Sequence, residues 1–266
     1  MTDSFLPGLF DPNPESSGLG GQSFLRSGIT MNARTLMLEE LSDLLQAVPD
    51  QDAPEATYGA AVLEDNCTGR KTLSARQKTW MYLKRLYRCD PRDSLFRAFR
   101  MLWDAAPESR PLLAFQMAWT ADPILRKSTE FFLPLADGAE ISSESTAAWV
   151  RAAYPSLSPP AATSTARNLN STWQQAGFIE GSSVRRRRRA AHLPENAAFA
   201  LWLGAKSGLS GSLLFETPMC ALLDRPPSDI IALAEVAARR GLIGLKRIDT
   251  VIEVSFPHLP RPEDRP

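Results

Sequence analysis

The chain has 266 residues, with thirty Lys or Arg against thirty Asp or Glu and hence no formal net charge. That length exceeds one modest domain and suffices for a buried core. No run approaches the roughly eighteen apolar residues of a membrane span, and the opening MTDSFLPGLF lacks the basic region and apolar core of a signal peptide. Two His and three Cys (Cys67, Cys89, Cys220) lie far apart without CxxC or HExxH spacing, which argues against zinc and for reduced thiols in a cytoplasmic protein.

The zero conceals a polarity. Residues 1–65 hold eleven Asp or Glu against Arg26 and Arg34, a net −9, which leaves +9 on residues 66–266. A basic region of that kind suits a polyanionic partner, although surface cations also serve solubility alone. The Pro-, Gly- and Ser-rich start (PGLFDPNPESSGLGGQS) holds too little apolar area to order itself, so residues 1–28 are expected to form a disordered tail. From residue 30 a helical pattern sets in, with Met37, Leu41, Leu44, Leu45 and Val48 recurring until Pro49 stops it. A helix over 55–64, the turn Asp65-Asn66-Cys67-Thr68-Gly69 and a long helix capped near Thr72 or Ser74 and running to Arg88 form a helix-turn-helix pattern. DPRDSLFRAFRMLWDAA, PLLAFQMAWTA and DPILRKSTEFFLPLA each open on Asp or Pro and carry apolar residues at helical spacing, which predicts an antiparallel bundle over 29–137. Trp103, Phe115, Trp119, Phe131 and Phe132 are assigned to packing.

Beyond Gly138 the pattern changes. A short helix over 144–153, the breaker PSLSPP, a helix over 163–176, the strand-like GFIEG and five consecutive arginines follow the order helix, turn, helix, strand, wing. Residues 138–192 are therefore expected to form a winged-helix-like unit. An apolar helix over 194–205 leads to DRPPSDIIALAEVAARR, a helix with Ser228 as its expected cap, and to GLIGLKRI and VIEVSFP as two strands of a hairpin. That order makes 193–258 a second winged-helix-like unit, and 259–266 (LPRPEDRP) reads as an unstructured end. The predicted class is mainly α, a helical bundle with helix-turn-helix and winged-helix units and a small C-terminal β-hairpin.

No local signature of catalysis occurs: there is no GxSxG, Walker loop or GxGxxG, and neither His192 nor His258 has a carboxylate or cysteine partner in sequence. A non-enzymatic protein without cofactor is expected. The basic constellations point to nucleic acid. Arg185, Arg186, Arg187, Arg188 and Arg189 follow the strand at 178–179, where a wing touches phosphate or the minor groove; the alternative is a solvated loop. Residues 70–100 hold ten Arg or Lys against Asp90 and Asp93. Within RKTLSARQK, Arg70, Lys71, Ser74 and Lys78 suit phosphate and positioning contacts, and Arg76 and Gln77 suit base edges. An amphipathic helix with cations snorkelling off a bundle explains the same residues. In TSTARNLNSTWQQAG, Ser164, Thr165, Arg167, Asn168, Asn170 and Ser171 are candidates for phosphates and bases, with Leu169 and Trp173 on the packed side; the same residues also suit a neutral surface.

AVLEDNCTGRKTLSARQKTWMYLKRLY and STARNLNSTWQQAGFIEG, separated by a Leu- and Trp-rich bundle, resemble in pattern and spacing the BrxA family of bacteriophage-exclusion (BREX) defence systems over about residues 30–181. The resemblance implies a small DNA-binding accessory protein with a NusB-like helical bundle and winged-helix-like features. It would act beside a methyltransferase, an ATPase and a phosphatase-like protein. Carried over, Lys71, Ser74, Arg76 and Gln77 belong to a first DNA-facing part, and Thr165, Arg167 and Asn168 to a second. The chain departs from the family pattern in its acidic start, its five-arginine run and the unit from Pro194 onward. An RNA-binding NusB-like module and a protein-only scaffold are the competing expectations. Duplex DNA is preferred to RNA because the Trp and Tyr residues fall on apolar stripes and none interleaves the basic segments.

Overall fold

The computed structural model describes residues 24–26, 29–248 and 251–262, so most of the tail expected over 1–28, and residues 263–266, lie outside the described residues. The fold is mainly helical with two small antiparallel hairpins. In chain order the elements are α1 (Leu38–Ala47), α2 (Glu55–Leu63), α3 (Leu73–Tyr87), α4 (Ser94–Ala105), α5 (Arg110–Ala121), α6 (Pro123–Phe132), α7 (Ser143–Ala153), α8 (Pro159–Gln175), β1 (Ile179–Glu180) and β2 (Arg186–Arg187). After these come α9 (Pro194–Lys206), α10 (Pro218–Ala221), α11 (Pro227–Arg239), β3 (Gly244–Ile248) and β4 (Val251–Ser255).

α5 and α9 are the centre. Every residue of α5 from Leu112 and of α9 up to Gly204 is buried, which is why PLLAFQMAWTA and AAFALWLGA are apolar on all sides. Their few polar groups cross-link the core. Gln116 donates to the Asn196 carbonyl and Asn196 to the Ser109 carbonyl, both at 3.0 Å. Trp173 of α8 packs between Phe115 of α5 and Phe132 of α6, with ring centroids at 4.8 and 4.6 Å, and Phe178 closes the group at 4.9 Å. The buried side chains from Phe24 to Leu259 form one continuous cluster.

Helix starts follow local chemistry. Thr72, Asp93, Asp122, Ser142 and Ser158 each accept a hydrogen bond from the first turn that follows. Three starts differ from the sequence expectation. α8 begins at Pro159 rather than at 163, because the Pro-Pro of PSLSPP occupies the first turn, where a missing N–H costs nothing. α11 likewise opens on Pro227, and Ser228 bonds Asp229 instead of capping. α1 starts only at Leu38, because Met37 takes left-handed backbone (φ 55) after a turn at 31–33.

Helix ends are served from a distance. α1, α2, α4, α5 and α6 have no basic residue in their last turns, yet each has an arginine on its terminal carbonyls. Arg100 reaches Leu45, Val48 and Pro49 at 3.1–3.3 Å. Arg76 donates to Leu63 at 2.6 Å, Arg110 to Trp103 at 3.1 Å, and Arg126 to Trp119 and Thr120 at 2.9 and 3.0 Å. Arg187 donates to Phe132 at 3.0 Å.

The last of these corrects the reading of the arginine run as a wing loop. Residues 138–141, not anticipated as strand, pair with 185–187: Gly138 donates to Arg187, Arg187 to Ala139 and Ile141 to Arg185 at 2.8–2.9 Å. β2 pairs on its other edge with β1, Ile179 opposite Arg187 and Glu180 opposite Arg186. The run is thus the middle strand of a small antiparallel sheet, and strand alternation sends Arg186 and Arg188 outward and Arg187 inward. Arg187 is 2% exposed, pairs with Asp224 at 2.7 Å and lies over the Phe178 ring at 5.3 Å. The loop is the preceding segment 181–185.

β3 and β4 form the expected C-terminal hairpin, Leu245 opposite Val254 and Arg247 opposite Ile252. The described part of the expected tail is docked: Leu259 is buried, Pro260 accepts from the Trp202 indole at 2.7 Å and Pro262 from Lys206 at 3.1 Å.

Removing one partner of a buried pair strands the other charge. Arg187→Ala is therefore expected to lower unfolding stability by about 3–5 kcal/mol in urea titration, whereas Arg189→Ala leaves the midpoint unchanged. Equal midpoints for both variants would contradict the burial argument.

Candidate nucleic-acid interface

Two helix faces and one loop gather the sequence candidates. The first face belongs to α3. Asn66 (φ 56) and Gly69 (φ 65) make the turn after α2, and Thr72 caps α3 by accepting from the Ala75 N–H at 3.2 Å. Thr79, Leu83, Leu86 and Tyr87 are buried, and the exposed residues of the helix span an outward arc of about 140°. Ser74, Gln77 and Lys78 stand on that arc, with Lys71 just before it, all exposed and without hydrogen-bond or ion-pair partners among the described residues. Arg70 is taken up by Glu40 and Lys84 by Glu55. Arg76 departs from its expected role at a base edge. Its guanidinium points back onto the Leu63 and Glu64 carbonyls and terminates α2.

α8 presents the second face, and here too the candidates divide. Arg167 is exposed, but Thr165 and Asn170 are fully buried, Asn170 accepting from the Thr146 hydroxyl at 2.9 Å, and Asn168 donates to the Met31 carbonyl at 2.9 Å, so all three turn toward the fold instead of outward. The outward side is Thr163, Ser164, Arg167, Ser171 and Gln174, at i, i+3 and i+4 spacing. Thr163 and Gln174 were missed; counting helical period back from the buried Leu169 and Trp173 would have found them. Gln174 donates to the Gly181 carbonyl at 3.2 Å and ties the helix to the loop that follows. Gly181 (φ 87) is required there, because a Cβ would collide with the Val184 carbonyl oxygen.

Around that loop the outward arginines are only partly engaged. Arg185 donates to the Ser143 hydroxyl at 3.2 Å and Arg186 to the Gly138 carbonyl at 3.3 Å. Arg188 lies between Glu180 at 2.7 Å and Asp137 at 3.7 Å and holds the Glu180 carboxyl below its ordinary pKa. Arg189 is exposed and makes no ion pair among the described residues.

Among the described residues no group of three or more His, Cys, Asp or Glu is arranged to hold a metal, and no helix is long and apolar enough to cross a membrane. His192 accepts from Arg225 at 3.4 Å, and His258 is exposed. No family profile and no curated protein matches the chain.

The three thiols are free. Burial pushes Cys220 up to about 12 and raises Cys89 and Cys67 as well, which starves all three of the reactive thiolate. At pH 7.5 a thiol reagent is expected to leave Cys89 and Cys220 unmodified until urea unfolds the chain, with only half-buried Cys67 reacting slowly. Rapid labelling of all three in native protein would refute this.

Proposed function

We propose that the protein binds duplex DNA, mainly through phosphate contacts, as a non-enzymatic accessory of a BREX-like anti-phage defence system. The observation that carries this is the order of elements over 123–189: helix, strand segment, helix, helix, strand, loop, strand. That is the order of a winged helix, with α8 as recognition helix and 181–185 as wing. α8 contains no Asp or Glu, and its outward side is hydroxyl, amide and guanidinium, groups suited to phosphates and base edges. Arg185, Arg186, Arg188 and Arg189 stand beside the wing to meet backbone phosphate.

α3 adds a second cationic face through Lys71 and Lys78, with Ser74 and Gln77 between them. The defence assignment rests on the resemblance over residues 30–181 to the BrxA family; the methyltransferase, ATPase and phosphatase-like subunits are the partners it implies.

Salt-titrated binding to duplex DNA, single-stranded DNA and RNA in parallel tests the proposal. Duplex affinity should fall steeply with salt, with a log–log slope of about −0.9 per phosphate contacted. Replacing Arg185, Arg186, Arg188 and Arg189 by Ser, with Arg187 kept for the core, should weaken binding alike on unrelated duplexes and flatten that slope. Tighter binding to RNA would favour the NusB-like reading, and no nucleic-acid binding in dilute buffer would favour a scaffold.

A further inference from the structure

The outward face of α3 carries a feature that phosphate contact does not use. Leu73 and Met81 are 54% and 50% exposed on a helix whose other outward residues are polar or basic. With Gln77 between them, they are spaced four residues apart. They therefore form one oblique ridge that rises about 6 Å per step. Ser74 and Lys78 line the neighbouring ridge.

The charged residues of α3 itself are all basic. No Asp or Glu occurs between Asp65 and Asp90, and Glu40 and Glu55, which pair with this segment, are engaged by Arg70 and Lys84. Lys71 and Lys78 are left without counter-charges among the described residues. An apolar ridge flanked by unpaired cations fits a partner that offers exposed methyl groups between rows of anions. The DNA major groove does so, through the C5-methyl of thymine between two phosphate backbones.

We propose that Leu73 and Met81 pack on thymine methyl groups in the major groove while Gln77 pairs with an adenine edge, so that α3 favours A·T-containing duplex. Gln77 Oε1 accepts from adenine N6–H and its Nε2 donates to N7. The inference rests on the duplex-DNA reading above, and names what that binding selects.

The test titrates the full chain onto a labelled A·T-rich duplex and onto the same duplex with uracil in place of every thymine, which removes only the C5-methyl group. The uracil duplex is expected to bind at least about fourfold more weakly, the worth of one buried methyl. In the double variant Leu73→Ala, Met81→Ala the two duplexes should bind alike, while Lys78→Ala weakens both by the same factor and keeps their ratio. Both apolar side chains stand outside the core, so urea titration of the double variant should match the parent. Equal, salt-dependent binding of thymine and uracil duplexes by the parent overturns the methyl readout and leaves duplex binding standing. A thymine preference that survives in the double variant overturns the assignment to Leu73 and Met81. Failure to bind either duplex in dilute buffer overturns both proposals.

Discussion

The fold depends on guanidinium groups closing the carboxyl ends of helices to which they do not belong. A helix leaves its last carbonyls without intrahelical partners and carries partial negative charge there. In α1, α2, α4, α5 and α6 no local lysine or arginine answers that charge. Arg100, Arg76, Arg110, Arg126 and Arg187 do so from later in the chain. Arginine suits the task because its planar fork reaches several carbonyls at once and stays charged when buried. Burial pulls Arg126 down to about 10, still far above neutrality.

Arg187 shows what such a clasp achieves. It joins the last residue of α6, the ring of Phe178 and the carboxylate of Asp224, and so ties the bundle, the small sheet and the C-terminal unit through one side chain. Asp122 does the same with opposite sign. Its carboxylate caps α6 at Leu125 and receives the Thr30 and Met31 N–H groups, which anchors the segment before α1 to the bundle. Desolvation raises its pKa, and the backbone donors oppose that rise.

The same economy decides where function can reside. A net +9 over residues 66–266 overstates the field a partner meets, because Arg76, Arg100, Arg126 and Arg187 spend their charge inside. Among the cations that remain outward, Lys78 and Arg167 stand on the acid-free helices α3 and α8, and Arg186, Arg188 and Arg189 follow the loop at 181–185, while others such as Arg151, Arg239 and Lys246 lie elsewhere on the surface.

Much of this was legible in the residues. The helical periodicity of the bundle, the Asp and Pro openings, the turn at Gly69 and the C-terminal hairpin are local, and local propensity with hydrophobic spacing determined them, as it determined that Ser74 and Lys78 lie on a helix surface. What only the tertiary structure decided depends on groups distant in sequence. The strand at 138–141 exists because 185–187 lies beside it; Arg76 is consumed because α2 ends within its reach; Asn168 turns inward because Met31 docks against α8. Five adjacent arginines look equivalent as text, but a pleated strand points neighbouring side chains to opposite faces, so Arg187 entered the core while Arg186 and Arg188 stayed in water.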